Sequence, residues 1–257
     1  MALDVRNLQF HIGQHSLLKA LDLQVKAGEC VAVVGPNGAG KTTLFRLLAG
    51  EVEPSAGTIQ FNGRELTRWP VAQLARMRAV LPQSSTLQFS FTVQEVVAMG
   101  RMPHATGRKI DDGIVHDVMQ VCDVRKLAER AYTALSGGER QRVQLARVLA
   151  QVWQPVADGE RLLLLDEPTS ALDIAHQIEL MQVVRQVCAA DIAVLVILHD
   201  LNLAARFANR ILMLHEGSLI AAGTPEQVLQ PDLIECVFNV KTQVICHPLY
   251  GCPLVVS

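Results

Sequence analysis

Gly35-Pro36-Asn37-Gly38-Ala39-Gly40-Lys41-Thr42-Thr43 decides how the rest of the chain is read. The string fits the pattern G-x-x-x-x-G-K-[ST]. At average composition it arises by accident in about one chain in a hundred of this length. Its flanks suit it. Cys30-Val31-Ala32-Val33-Val34 is a short apolar run of the kind a buried parallel strand needs. Thr43 to Ala49 reads as a helix with Leu44, Leu47 and Leu48 on one face and Gly50 as its C-cap. Between strand and helix, glycines let successive backbone N–H groups face an anion, and the helix start adds partial positive charge. Residues 35–43 are therefore the expected phosphate cradle. Lys41 is expected to reach the β- and γ-phosphates and the Thr42 hydroxyl to ligate Mg²⁺.

The chain has 257 residues, half of them hydrophobic, enough for one large domain or two small ones. Its 23 Lys and Arg against 25 Asp and Glu leave a net charge of −2. No global basic field argues for nucleic acid, and none is expected as a partner. The longest apolar run, Ile192 to Leu198, is far too short to span a bilayer. Met-Ala-Leu-Asp-Val-Arg at the start is not a signal peptide. A cytosolic chain is expected, unless a membrane partner holds it. The six cysteines (Cys30, Cys122, Cys188, Cys236, Cys246 and Cys252) include no C-x-x-C pair. They read as small hydrophobes rather than disulfides or zinc ligands. The histidines lack metal-ligand spacing too.

Residues 2–10 and 17–25 alternate apolar and polar and predict half-exposed antiparallel strands. Gly57 to Gly63 predicts another, with Asn62-Gly63 as a turn, and together these form a small sheet beside the phosphate loop. From Ser84 to Pro155 the pattern turns helical. Thr92-Val93-Gln94-Glu95 is a capping box opening a helix to Met99, and Ile110, Ile114, Val118, Val121 and Cys122 recur at helical spacing. Leu162–Leu165 and Ile192–Leu198 are two further buried strands. A hairpin runs from Ile211 to Ala222 and turns at Glu216-Gly217. Thr224-Pro225-Glu226-Gln227 opens a short helix with Pro at its first position.

Three buried strands end in polar residues: one enters the phosphate loop, one runs into Asp166-Glu167-Pro168, and one into His199-Asp200. Ligands in open α/β sheets bind beyond the carboxyl ends of the strands, so Asp166, Glu167 and His199 should converge on the phosphates. Asp166 is the expected Mg²⁺-side carboxylate. Glu167 is placed to polarise a water for attack on the γ-phosphate, and His199 to contact that phosphate. Leu135-Ser136-Gly137-Gly138-Glu139-Arg140-Gln141 carries a second signal. Ser136-x-x-Glu139 is a capping box before an apolar stripe of Val143, Ala146, Leu149 and Ala150. Two glycines in a first turn weaken a helix by up to about 1 kcal/mol each relative to Ala. That makes sense where the backbone must approach another group closely. A serine hydroxyl and glycine N–H groups at a helix start make a second anion site.

Phosphate loop, L-S-G-G-E, a Leu-rich strand ending in Asp166-Glu167 and a downstream His199 together resemble the ATP-binding-cassette ATPases over nearly the whole chain. The resemblance implies an α/β fold: a RecA-like P-loop NTPase core with a mostly parallel sheet, an antiparallel β subdomain and an inserted α-helical subdomain. The division is about 1–83 and 156–224 for the nucleotide-binding core with its β subdomain, 84–155 for the helical subdomain and 225–257 for a C-terminal extension. It implies ATP and Mg²⁺ as cofactors and Gln83 as a switch that contacts Mg²⁺ and the attacking water. Ser170-Ala171-Leu172-Asp173 resembles the loop that crosses between protomers. Ser136, Gly137 and Gly138 are then expected to contact the γ-phosphate on the opposite protomer of a head-to-tail homodimer holding two ATP. The family places an aromatic on adenine near position 12. Ile12 stands there, with Phe10, His11 and His15 close by, and no residue is assigned to adenine.

The chain carries one cassette, no fused membrane segment, and no long coiled coil between Gln83 and Ser136. Fused exporters, chromosome ATPases and two-cassette translation factors are thereby set aside. A detached importer ATPase is the expectation, with a soluble ATPase serving a protein partner as the rival class. As an importer ATPase it is expected at the cytoplasmic face of the inner membrane, held by a permease dimer that a periplasmic binding protein supplies. Phe91 to Arg101 resembles importers of iron chelates, haem and cobalamin. Ala146 to Pro155 with the extra residues before Leu162 resembles haemin-import ATPases, so haem is the expected cargo, with ferric siderophore or cobalamin as the alternative. Gln83 and Phe89 to Arg101 are expected to form the groove for a permease helix, with Arg101 exposed. Cys246-His247-Pro248 and Cys252-Pro253 carry residue types that can ligate haem iron. Isolated Cys and His more often pack or face solvent, and that is the expectation for them.

Overall fold

The computed structural model of the chain describes residues 1–83, 90–157, 159–170 and 172–257. In chain order these fold as β1 (Leu3–Ile12), β2 (His15–Val25), β3 (Cys30–Val34), α1 (Lys41–Leu48), β4 (Ala56–Phe61), β5 (Arg64–Glu65), α2 (Val71–Met77) and β6 (Arg78–Leu81). Next come α3 (Val93–Ala98), α4 (Arg108–Val121), α5 (Gly137–Val152), β7 (Arg161–Leu165), α6 (Ile174–Ala189), β8 (Ile192–Ile197) and α7 (Leu201–Phe207). The chain closes with β9 (Arg210–His215), β10 (Ser218–Gly223), α8 (Pro225–Val228), α9 (Pro231–Phe238), β11 (Gln243–Cys246) and β12 (Pro253–Val256).

Six strands form the central sheet in the order β10-β9-β3-β8-β7-β6. β9, β3, β8, β7 and β6 run parallel, and β10 is an antiparallel edge. Every residue of β3, β7 and β8 is buried, as expected of strands covered on both faces. Side-chain alternation sends Val31, Val33, Leu162, Leu164, Leu195 and Ile197 to one face, where α1 and the antiparallel sheet β2-β1-β4-β5 pack. Cys30, Ala32, Val34, Leu163, Leu165, Val194 and Val196 face the other way, against α3 to α7. This layering fixes the site. Parallel strands carry their C-terminal ends to one edge of the sheet, where their loops meet.

The expected strands and capping boxes are present, with additions. α1 starts at Lys41, two residues before the predicted start. α2, β6, α9 and the hairpin β11–β12 were not predicted. β6 has four residues and β11 and β12 four each, too few for periodicity to register. All six cysteines are free. Cys30, Cys122 and Cys188 are buried hydrophobes as expected; Cys236 and Cys246 are exposed and Cys252 half-buried, so packing does not account for them.

Arg101 corrects the expectation of an exposed cation. It is 4 % exposed. Its guanidinium donates to Asp111 Oδ1 at 2.8 Å, Ala150 O at 2.7 Å, Thr106 Oγ1 at 3.1 Å and Gln154 Oε1 at 3.0 Å. The helix expected to end at Met99 tightens into a 3₁₀ turn over Met99–Arg101. That turn delivers the side chain to the last turn of α5, where unpaired carbonyls and negative dipole favour a cation. Glu160, two residues before Leu162, is also tied down. Asn62, at the turn between β4 and β5, donates to Glu160 O at 2.9 Å and accepts from Glu160 N–H at 3.0 Å.

Candidate functional site

The loop after β3 is held by its neighbours. Gly217 N–H, from the β9–β10 turn, donates to Ala39 O at 3.1 Å. A Cβ at Gly35 would stand 2.2 Å from Leu214 O, so only glycine lets β9 approach the loop. Gly40, the N-cap of α1, sits at φ 99°. Asn37, Gly38 and Thr42 are exposed, Pro36, Gly40 and Thr43 half-buried, and Ala39 and Lys41 buried. The Lys41 ammonium donates to Gly35 O at 2.8 Å and Pro36 O at 2.9 Å. Burial lowers its pKa, opposed by the charges of Glu167 and Asp166.

β7 delivers the two acids. Asp166 is 6 % exposed, and its N–H donates to Leu81 O of β6 at 2.9 Å. Burial first, and the adjacent Glu167 second, push its carboxyl up to about 6. Glu167 adopts φ +50°, an uncommon conformation for a residue with a side chain. Its carboxylate is gripped from two sides: Gln83 Nε2 donates to Oε2 at 2.6 Å, and His199 Nε2 lies 2.5 Å from Oε1. His199 is placed by the start of α7, where Asp200 Oδ1 accepts from Asn202 N–H at 2.7 Å and Leu203 N–H at 3.2 Å. That cap was not singled out from sequence, although Asp before an apolar helical run is its signature. Gln83, Glu167 and His199 thus meet from three separate elements.

The Mg²⁺ expectation can be tested on Asp166. Its Oδ1 is buried and has no hydrogen-bond partner, which a native fold rarely leaves uncompensated. A cation beside it would satisfy that oxygen and reverse the raised pKa. Among the described residues no group of three His, Cys, Asp or Glu could hold a metal. Mg²⁺, however, is commonly bound through one carboxylate with substrate phosphates and waters. Thr42, Asp166 and Gln83 fit that donor set.

Ser136, Gly137, Gly138 and Asp173 come together elsewhere. Ser136 caps α5: its Oγ accepts from Glu139 N–H at 3.2 Å, and Glu139 Oε2 accepts from Ser136 N–H at 2.8 Å. The bond from Ser136 N–H holds the Glu139 carboxyl below its ordinary pKa. A Cβ at Gly138 would meet Leu172 at 3.2 Å, whereas one at Gly137 would meet nothing within 4 Å. One glycine is thus explained by packing and the other faces open space. Asp173 caps α6, its Oδ1 accepting from His176 N–H at 2.9 Å and lying 2.8 Å from His176 Nδ1. A cavity of about 430 Å³ separates the two caps, bordered by Ser136, Gly138, Arg142, Leu172, Asp173 and His176. No phosphate-loop residue lines it. Ala171 of the expected crossing loop lies outside the described residues. Ile12 is 59 % exposed.

The ABC transporter family model matches residues 18–170. The hemin import ATP-binding protein HmuV of Gloeobacter violaceus is 50 % identical over 242 residues, covering 93 % of this chain and 88 % of its own. That of Pseudomonas aeruginosa is 49 % identical over 99 % of both. Among solved structures, a chain of an ABC transporter assigned to the metal-chelate type, in an inward-facing conformation, has a TM-score of 0.82. It is 27 % identical, with 99 % of this chain and 96 % of that one covered. The cbiO1 subunit of Clostridium perfringens gives a TM-score of 0.79 at 25 % identity, covering 91 % and 92 %. A RecA-like core with its phosphate loop and paired acids, matched by relatives of this identity across nearly its full length, places the chain in the ABC transporter family as an ATP-hydrolysing subunit.

Proposed function

We propose that this subunit drives haem import, as the homodimeric ATPase of a complex with a membrane permease dimer that a periplasmic binding protein serves. The observation that carries it is 49 to 50 % identity over nearly the whole chain to proteins named for hemin import. No helix among the described residues is long and apolar enough to cross a membrane. We place the subunit at the cytoplasmic face of the inner membrane, held there by its permease. We retain the expected division into core, helical subdomain and C-terminal extension.

In this mechanism Gly35–Thr43 hold the ATP phosphates and Lys41 neutralises them. Mg²⁺, when bound, would rest on Thr42, Asp166 and Gln83 and neutralise phosphate charge. Glu167 orients and deprotonates the attacking water. Its two hydrogen-bond partners, Gln83 and His199, fix the carboxylate in place before water arrives. Ser136–Gly138 and Asp173 of the opposite copy close over the γ-phosphate, and the unfilled space at Gly137 supports that assignment.

A cavity of about 550 Å³ suits a permease helix better than the segment first expected. α3 buries Val93, Val96 and Val97, and Arg101 is locked inside, while Phe89 lies outside the described residues. The cavity is bordered by Leu47, Val52, Trp69, Val71, Leu74 and Val80. Val71 is 85 % exposed. Val80 belongs to β6, which runs directly into Pro82-Gln83, so a helix in this groove would sit one short segment from the catalytic switch.

Reconstitution with permease and binding protein tests the cargo: haem-loaded binding protein should accelerate ATP hydrolysis. A ferric-siderophore or cobalamin importer is the second reading, favoured by the metal-chelate transporter among the solved structures. Stimulation by siderophore- or cobalamin-loaded binding protein, with none by haem, would establish it instead and leave the ATPase assignment standing.

A further inference from the structure

β6 opens with a cation that lacks most of its partners. Arg78 is half-buried and lines the groove of about 550 Å³ between α1, β4, α2 and β6. Its Nη1 donates to Leu48 O, at the end of α1, at 3.0 Å. That is the one hydrogen bond its guanidinium makes among the described residues. Its Nε is buried and has no partner. A Cβ at Gly50 would stand 3.4 Å from Nη1 and 3.9 Å from Nη2, so the guanidinium lies along the bare backbone of that glycine. Arginine offers five donors in one plane, and a native fold rarely leaves buried ones unused.

Its charge is as poorly matched as its donors. Burial pulls the Arg78 pKa down to about 10, and only the charge of Glu51 opposes this. Glu51 itself pairs with Arg46 at 3.4 Å. Glu65, which also lines the groove, pairs with Arg68 at 2.8 Å. Glu53 lines it too, and among the described residues it makes no ion pair with Arg78. Leu47, Val52, Trp69, Leu74 and Val80 make much of the remaining wall apolar. Nor can the side chain withdraw easily. Gln151 of α5 donates to Ala75 O at 2.8 Å and to Arg78 O at 3.0 Å, so Arg78 is held at its backbone as well as at Nη1.

We propose that Arg78 anchors a carboxylate on the permease helix that enters this groove, so that the docking face of that helix is apolar with one Asp or Glu set into it. The proposal rests on the docking assignment made above and deepens it. Water serves the charge while the groove is open. A wholly apolar helix would seal the groove and leave a desolvated cation inside, which is strongly unfavourable. A helix bearing an acid supplies the missing counter-charge, and arginine is the cation best suited to a carboxylate away from water. The same contact selects the partner, since a helix without the acid must bury Arg78 unpaired. β6 joins this contact to the site. Arg78 lies opposite Leu162 of β7, and Leu81, three residues on, accepts Asp166 N–H at 2.9 Å just before the chain reaches Gln83.

Binding of the full-length subunit to its permease in lipid nanodiscs tests this. Each Asp in the cytoplasmic loops of the permease is changed to Asn and each Glu to Gln, one at a time, against the wild-type subunit. One acid should stand out, its loss weakening association about tenfold or more, as for one partner of a buried charge pair. Arg78→Gln should weaken association as much. Combining the two should cost no more than either alone, whereas independent losses would multiply to about a hundredfold. Arg78→Lys, which keeps the charge and loses the planar fork, serves in the same cycle where the Gln variant does not fold. Losses that multiply, or a permease in which no acid matters, would overturn the pairing. A cross-link from Val71→Cys to the permease reports docking separately. With that cross-link present, a failed cycle removes the pairing and leaves the docking surface standing; without it, both fall.

Discussion

Two glycine-rich helix starts in this molecule rest on the same physics and reach opposite states. At Gly35–Thr43 the start of α1 is flanked by the molecule's own charged groups. Lys41 folds onto Gly35 O and Pro36 O, and neighbouring strand ends supply Asp166, Glu167 and His199. At Ser136–Gly138 the dipole of α5 meets only its own cap, an open Gly137 and a cavity of about 430 Å³. Under the proposed function the first would hold an anion and bring acids to act on it. The second offers dipole and hydroxyl but no catalytic carboxylate. What separates them is the sheet: parallel strands gather three chemistries at one edge, whereas a helix start outside the sheet gathers none. Under the proposed function a second copy completes this half-site.

Breaking each half separately has the largest expected effect. Lys41→Ala should weaken ATP affinity about a hundredfold or more, by removing a charge from a buried phosphate site, and Ser136→Arg should fill the open half. Both homodimers should be inactive. Mixed after proven subunit exchange, they should recover part of the wild-type rate, because one composite site in each heterodimer carries neither lesion. Mixtures that stay inactive would place each site within a single copy. Glu167→Gln comes next. Its turnover should fall about 10²-fold or more, as for loss of a general base, while ATP binding persists and traps a dimer. Ordinary turnover in that variant would remove Glu167 from its role.

Smaller effects sharpen the comparison. Val71→Glu puts a charge on an exposed rim residue, so stability should move by no more than about 0.5 kcal/mol. Permease-stimulated hydrolysis should drop about tenfold with basal hydrolysis unchanged, since a docked apolar helix would bury that charge. Full stimulation would move the docking surface elsewhere. Asp166 provides the subtlest test. Its folded pKa, about 6, lies above its value in an unfolded chain. Its protonated form therefore supports the nucleotide-free fold below about pH 4, and that support is lost as pH rises through about 6. Asp166→Asn cannot ionise. It should raise the melting temperature by about 2 to 4 °C at pH 8 and leave it unchanged at pH 4. An equal shift at both pH values would show that ionisation is not what strains the site.

Sequence alone determined the elements whose chemistry is local. A glycine loop between a buried strand and a helix, an acid pair after four leucines and a serine cap three residues before a glutamate all rest on contiguous residues. Their geometry is set within about one turn or one strand. The gathering of Asp166, Glu167 and His199 was also legible, because parallel strands have only one carboxyl edge. Tertiary structure decided the rest. Arg101 looked like a surface cation and is buried, because the carbonyl that captures it, Ala150 O, lies 49 residues away. The two glycines of Leu135–Gln141 looked alike. Only the packing of Leu172 tells them apart. β6, α2 and the C-terminal hairpin were too short for periodicity, and the groove that holds Arg78 needs α1, α2, α5 and β6 packed at once. Exposure and adjacency belong to pairs of elements, and no stretch of sequence read singly carries them.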